Sequence, residues 1–135
     1  MERIRYVTIA AAGPGNPRND TASVAELPDG RLMAVWHKYG DSDEQGGDFG
    51  VARIYSKTST DGGLTWDDER MVVDVAPGDV NVQAPALCLL PTGELLLICL
   101  RAPARDSSTL QLLRSRDEGG SFVPSGILWE RSKGQ

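Results

Sequence analysis

Apolar residues in this chain come in short runs broken by one recurring four-residue signal. In "SVAELPDGRLMAVW", Ser23 to Trp36, an apolar run meets Leu27-Pro28-Asp29-Gly30 and a second run follows. "PALCLLPTGELLLICL", Pro85 to Leu100, repeats the arrangement around Leu90-Pro91-Thr92-Gly93. Proline and glycine supply turn dihedrals, so each stretch predicts a β-hairpin. Helical spacing of apolar positions is absent. Downstream of each hairpin stands an eight-residue motif, "STDGGLTW" from Ser59 to Trp66 and "SRDEGGSF" from Ser115 to Phe122. Both fit Ser-x-Asp-x-Gly-x-(Ser/Thr)-aromatic.

The order of hairpin, loop and motif is thus repeated. Leu90 stands 63 residues after Leu27, whereas Ser115 stands 56 after Ser59. The extra seven residues belong to the connection "KYGDSDEQGGDFGV", where an insertion leaves repeated strands intact. Each unit predicts four strands. In the first they are about 23–27, 31–37, 50–58 and 70–75; in the second, about 85–90, 94–101, 109–114 and 125–129. The hairpin strands of the second unit are apolar nearly throughout, as expected when both faces are covered. A four-stranded unit repeated at this interval predicts all-β architecture built from β-propeller blades. The expected organisation is an N-terminal strand and loop at 1–16, blade one at 17–76 and blade two at 77–135. The strand at about 3–11 has no hairpin partner and is expected to complete the last blade of a closed ring.

The parts of the motif have separable jobs. Asp61 and Asp117 are placed to accept backbone N–H bonds within the turn, and Ser59 and Ser115 to tie it to its strand. Gly63 and Gly119 supply positive φ. Trp66 and Phe122 then fold under the turn and fill the gap beside the next blade.

Composition narrows the function. At 135 residues, with 40% apolar and 24% charged residues, the chain suits one modest globular domain. A net charge of -5 argues against nucleic acid or an anionic membrane as partner, since either needs a dense basic face. The apolar run in "MERIRYVTIAAAG" is too short to span a bilayer, and no export signal is read, so a cytoplasmic location is the default expectation. Cys88 and Cys99 both lie in apolar runs and are expected as reduced core thiols.

Strand direction separates the candidate chemistry. In a four-stranded meander the first and third turns share one end, so both Leu-Pro-x-Gly turns and both motifs belong to one rim. The opposite rim receives Arg18, Asn19, His37, Lys38 and the acidic loop Asp41, Asp43, Glu44 and Asp48. Asn81, Gln83, Arg101 and Arg105 join from the second unit. For Arg18 and for the acidic loop, a solvated surface stands beside a binding or catalytic reading; for His37, a strand-end residue stands beside a ligand contact. The loop opens like a Ca²⁺ loop, but Ala52 occupies the position that needs a bidentate Glu. "GPGNP" lacks the Lys-Ser/Thr and helix of a phosphate cradle, and Cys-x-x-Cys, His-Glu-x-x-His and Gly-x-Ser-x-Gly are missing. No metal and no cofactor is expected.

The two motifs resemble the Asp-box, or BNR, repeats of the sialidase (neuraminidase) superfamily, whose members form six-bladed β-propellers. The likeness covers about Pro17 to Phe122. It implies an exo-glycoside hydrolase that removes terminal sialic acid or a related sugar from glycoconjugates, with a carbohydrate substrate as partner. In that family an arginine near the first strand of an early blade binds the substrate carboxylate, and an aspartate in the same blade's long loop is the acid/base catalyst. "PRND" resembles the family's "PRN" loop and points to Arg18, with Asn19 beside it. "DFGVARIYSKTS" resembles the segment running from the catalytic aspartate and points to Asp48. The family's Arg-Ile-Pro signature is absent. Where many members carry a second arginine this chain has "HKY", which makes Lys38 the substitute, and Arg101 is the substrate-binding candidate of the second blade. The family's nucleophilic tyrosine, its glutamate partner and its other arginines come from later blades, and Tyr6, Tyr39 and Tyr55 match none of those places. The likeness therefore implies an N-terminal portion whose remaining blades lie outside these residues and which is inactive alone. A non-catalytic BNR propeller that binds glycans or proteins is the alternative reading, and a glycoside enzyme of different linkage is a third.

Overall fold

The computed structural model describes residues 3–40, 47–104 and 106–131. Asp41, Asp43, Glu44 and Arg105 lie outside the described residues. The architecture is all-β, with no helix among the described residues. Strands β1 (Arg18–Glu26), β2 (Leu32–Tyr39), β3 (Ala52–Ser59) and β4 (Arg70–Val73) form one sheet. Strands β5 (Asn81–Leu89), β6 (Leu95–Ala104), β7 (Ser107–Ser115) and β8 (Val123–Arg131) form a second. Both are antiparallel meanders in sequence order, the topology of a propeller blade.

Each inner strand begins earlier than the apolar pattern predicts, because a bulge interrupts it. The register of β1 on β2 shifts between Asp20 and Ala22, and that of β5 on β6 between Gln83 and Ala86. Thr21 (φ 38°) and Ala84 (φ 52°) hold positive φ at these places, 63 residues apart like the hairpin turns. A bulge adds one residue and re-aims the side chains beyond it. Thus Asp20 and Arg18, and Gln83 and Asn81, extend the strands past the point where apolar alternation stops.

One face of each sheet meets the other. Met33, Val35, Ile54 and Val73 pack with Val82, Leu95, Leu97, Cys99 and Leu113 in a single buried cluster. Burying a side chain of Leu or Val size contributes about 1.5–3 kcal/mol, so this seam joins the sheets. Ser23 reinforces it, its Oγ accepting the Leu87 N–H at 3.0 Å. Burial pushes the Cys99 thiol up to about 11, which keeps it protonated.

Two expectations change, and a third is not met within these two blades. Cys88 is exposed rather than core, because it alternates away from the inter-sheet face that Val82 and Leu87 pack against. The hairpin strands of the second sheet are fully covered on one face only: Leu95, Leu97 and Cys99 of β6 are buried, whereas Leu96, Ile98 and Leu100 are half-buried and Ala86 and Cys88 of β5 are exposed, and every residue of β8, including Val123, Ile127, Leu128 and Trp129, is exposed. Residues 3–11 form no strand. A strand needs a neighbour's unpaired edge. Here the segment is held instead by side chains, with Lys57 Nζ donating to the Ile9 carbonyl at 2.7 Å and Asn19 Nδ2 to the Ala10 carbonyl at 3.3 Å. Ile4 and Tyr6 stay exposed.

The two eight-residue turns are built alike. Ser59 Oγ accepts the Gly63 N–H at 2.9 Å and donates to Asp61 at 2.8 Å; Ser115 Oγ accepts the Gly119 N–H at 2.8 Å and donates to Asp117 at 2.7 Å. Each aspartate then accepts both the N–H and the hydroxyl of Thr65 or Ser121. Those bonds hold both carboxyls near a pKa of about 2, the hydroxyl contributing most. Trp66 is half-buried, its Nε1 donating to the Gly63 carbonyl at 3.0 Å, and Phe122 packs against the core. The second of these turns also meets the first sheet across the seam. Arg31 pairs with Glu118 at 2.7 Å, and Arg70 donates to the Gly119 and Gly120 carbonyls at 2.7 and 3.3 Å.

Candidate functional site

At the end of the sheets opposite these turns, the strand register decides which side chains meet. Arg18 lies opposite Tyr39 and Asp20 opposite His37, so all four project from the face of the first sheet that carries Met33 and Val35. That face looks onto the second sheet. The Arg18 guanidinium lies 4.9 Å over the Tyr39 ring, a cation–π contact. Its Nη1 donates to Asp48 Oδ1 at 2.8 Å, and its Nη2 pairs with Asp20. These two bonds, Asp48 first and Asp20 second, push the Arg18 pKa further up. Asp20 is drawn down by Arg18 and then by the Thr21 N–H, which donates to its Oδ1 at 2.8 Å.

The second sheet seats this group. Asn81 Nδ2 donates to the Asp48 carbonyl at 2.8 Å and to the Gly50 carbonyl at 3.3 Å. Gln83 Nε2 donates to the Asp48 carbonyl at 2.9 Å and to the Tyr39 hydroxyl at 2.8 Å. The backbone beside Asp48 is therefore held from the neighbouring blade, while its carboxylate stays 78% exposed and open to an incoming molecule. Beneath lies buried His37, edge-on to Tyr39 with ring centroids 5.3 Å apart. His37 Nδ1 accepts the Ala84 N–H at 3.1 Å, so the bulge of β5 is tied to β2. Burial lowers the His37 pKa and raises that of Tyr39. His37 thus tethers the first sheet to the second, a contact neither sequence reading included.

The remaining candidates lie elsewhere. Asn19 and Lys38 are paired on the opposite face of the first sheet. Asn19 accepts from Trp36 Nε1 at 3.1 Å, and Lys38 pairs with Glu69 and sits 4.7 Å over the Tyr55 ring. Arg101 is engaged by Asp79 at 2.6 Å, Gln111 at 2.5 Å and the Asp74 carbonyl at 3.1 Å. The structure thus brings together Arg18 and Asp48 but neither Asn19, Lys38 nor Arg101 with them. Asp20 and Tyr39 were not singled out by sequence. The signal for Asp20 was its place in "PRND", two residues from Arg18; for Tyr39 it was "HKY", where alternation puts Tyr39 rather than Lys38 on the face of His37.

Solved structures that share the fold of these two sheets include enzymes that act on sugars. An α-L-arabinanase from Penicillium chrysogenum, solved with arabinobiose, superposes with a TM-score of 0.71 at 24% identity, over 88% of this chain and 34% of the arabinanase. The Hadza microbial sialidase Hz136 gives 0.68 at 13% identity, over 86% and 25%. A family 117 glycoside hydrolase from the marine bacterium Zobellia galactanivorans gives 0.68 at 16% identity, over 87% and 41%. The chain therefore spans well under half the length of the structures it matches, and at these identities the likeness is one of fold. No protein-family model and no curated protein matches the sequence.

Proposed function

We propose that these residues form two blades of a sialidase-like, six-bladed exo-glycoside hydrolase, with the eight-residue turns as Asp-boxes and the Arg18–Asp48 rim as part of its sugar site. The observation that carries this reading is the exposed Asp48 carboxylate, ion-paired to Arg18 and seated by Asn81 and Gln83 from the adjacent blade. A glycosidase needs a carboxyl that gives a proton to the leaving oxygen and takes it back from water. Asp48 has the reach for it, being fixed through its backbone with its carboxylate outward. Arg18, held by the Tyr39 ring and Asp20, orients both the carboxylate and the bound sugar. The nucleophile and the rest of the sugar pocket belong to further blades, as the sialidase resemblance implies. Fold neighbours that are glycoside hydrolases support the class.

The test is hydrolysis of a panel of 4-nitrophenyl glycosides by the complete natural polypeptide and by the 135 residues alone. The expected result is turnover by the first and none by the second. Sugar binding by the complete protein without hydrolysis of any substrate would favour the alternative, a non-catalytic propeller that binds glycans. Turnover by the isolated two blades would show that the chemistry needs no further blade.

A further inference from the structure

Arg18 is the place where the sialidase resemblance seats an anionic sugar, yet both arms of its guanidinium hold carboxylates of this chain. Nη1 donates to Asp48 and Nη2 to Asp20. The other two cations considered for binding are engaged as well, Lys38 by Glu69 on the far face and Arg101 by Asp79. Around Tyr39, the described charged groups are thus one cation and two carboxylates. His37 adds no positive charge near neutrality, since burial lowers its pKa.

A carboxylated sugar arriving at Arg18 meets two like charges already in the guanidinium's fork. To bind bidentately it has to displace at least one of them, leaving that carboxylate beside the new anion without its cation. A neutral sugar faces no such conflict. Its hydroxyls donate to carboxylate oxygens, whose remaining lone pairs accept them, and charge-assisted bonds of this kind are the stronger ones. Asp20 and Asp48 are 39% and 78% exposed at their side chains, so each has a surface to offer.

We infer that this site takes an uncharged sugar, whose hydroxyls donate to the carboxylates Asp20 and Asp48 that bracket Arg18, and excludes carboxylated ones. The inference rests on the glycoside-hydrolase reading and narrows its substrate class. Asp20 becomes the residue that sets specificity, because it occupies the arm of Arg18 that a substrate carboxylate would need.

The experiment is calorimetric titration of the complete natural polypeptide with matched probes: methyl galactoside against methyl galacturonide, and lactose against 3′-sialyllactose, with arabinobiose as a further neutral sugar. The neutral member of each pair should bind about two- to fivefold more tightly, a difference of the size that one displaced ion pair at a surface site supports. Asp20→Asn should shrink that preference and weaken the neutral sugars. Tighter binding of galacturonide or sialyllactose, weakened by salt and lost in Arg18→Gln, would overturn the inference while leaving the carbohydrate reading standing. Binding of no sugar from either class would overturn both. The wild-type comparison decides the matter even where a variant fails to fold.

Discussion

Gly63 and Gly119 hold the same place in the two turns, with φ of 93° and 82°, but different neighbours. A Cβ on Gly63 would meet nothing closer than Leu32 Cδ1 at 3.6 Å, whereas one on Gly119 would run into Met33 Sδ. Both alanine variants carry backbone strain, and only the second overpacks the seam. Gly119→Ala should therefore lower stability more than Gly63→Ala, by a further 1–3 kcal/mol or so in denaturant titration. Equal losses would mean that Met33 repacks without cost. The aspartates give a pH-dependent counterpart. Asp61 is depressed from 3.8 to about 2 by the Thr65 hydroxyl, the Thr65 N–H and Ser59, so its contribution is complete above the unfolded value and is lost as pH falls through the folded one. Asp61→Ala should melt lower than wild type at pH 7, with the gap closing toward pH 2. These motif residues were legible in sequence because each bonds within its own turn. Asp20 and Tyr39 were not, since their meaning comes from Arg18 across a strand pair and Gln83 across the seam. Glu118 is a further case: it takes φ 56° where the first turn has Gly62, and its pairing with Arg31 lies 87 residues away in the chain.

At the level of strands, the hairpins and meander order were readable from apolar runs and Pro-Gly turns. The bulges of β1 and β5 were not, since each lies where polar residues have already ended the alternation. Residues 3–11 pair with neither sheet, and the expectation that they complete the last blade of a ring concerns a blade outside these residues. The seam between the sheets yields two predictions. Leu97 is fully buried in it, and Leu97→Ala should cost about 2–5 kcal/mol by denaturant titration. His37 should make stability depend on pH. Its folded pKa is lowered from 6.5 by burial, with Asp20 and Asp48 acting to raise it and Arg18 to lower it. The unfolded chain therefore binds the proton first, so stability is complete above about pH 6.5 and falls below it. Protonation of Nδ1 also removes the acceptor for the Ala84 N–H. His37→Gln should flatten the stability profile between pH 5 and 7, roughly the window in which histidine titrates. An unchanged slope would place the titrating group elsewhere.

For the molecule as a whole, the two blades leave apolar surface uncovered on both outer sides. Val24 on the first sheet and Val123, Ile127, Leu128 and Trp129 on β8 are all exposed. Exposed apolar strands at a sheet edge favour association, so the 135 residues alone should sediment with a concentration-dependent mass, and a monomer at all concentrations would show that these faces are tolerated by water. The fold was legible at this scale because a repeat exposes its period, whereas the site was legible only in part, its polar members being spread over two blades. Arg18 and Asp48 could be named from local sequence, but their contact depends on Asn81 and Gln83. The role proposed for Asp48 is to handle the proton in glycoside cleavage. Its most direct test is the leaving-group dependence of kcat/KM for Asp48→Asn in the complete protein. Protonation matters most for poor leaving groups, so the variant should lose about 10²-fold or more on unactivated sugars and far less on 2,4-dinitrophenyl glycosides. An equal loss on both substrate types would contradict the assignment of Asp48 as the acid.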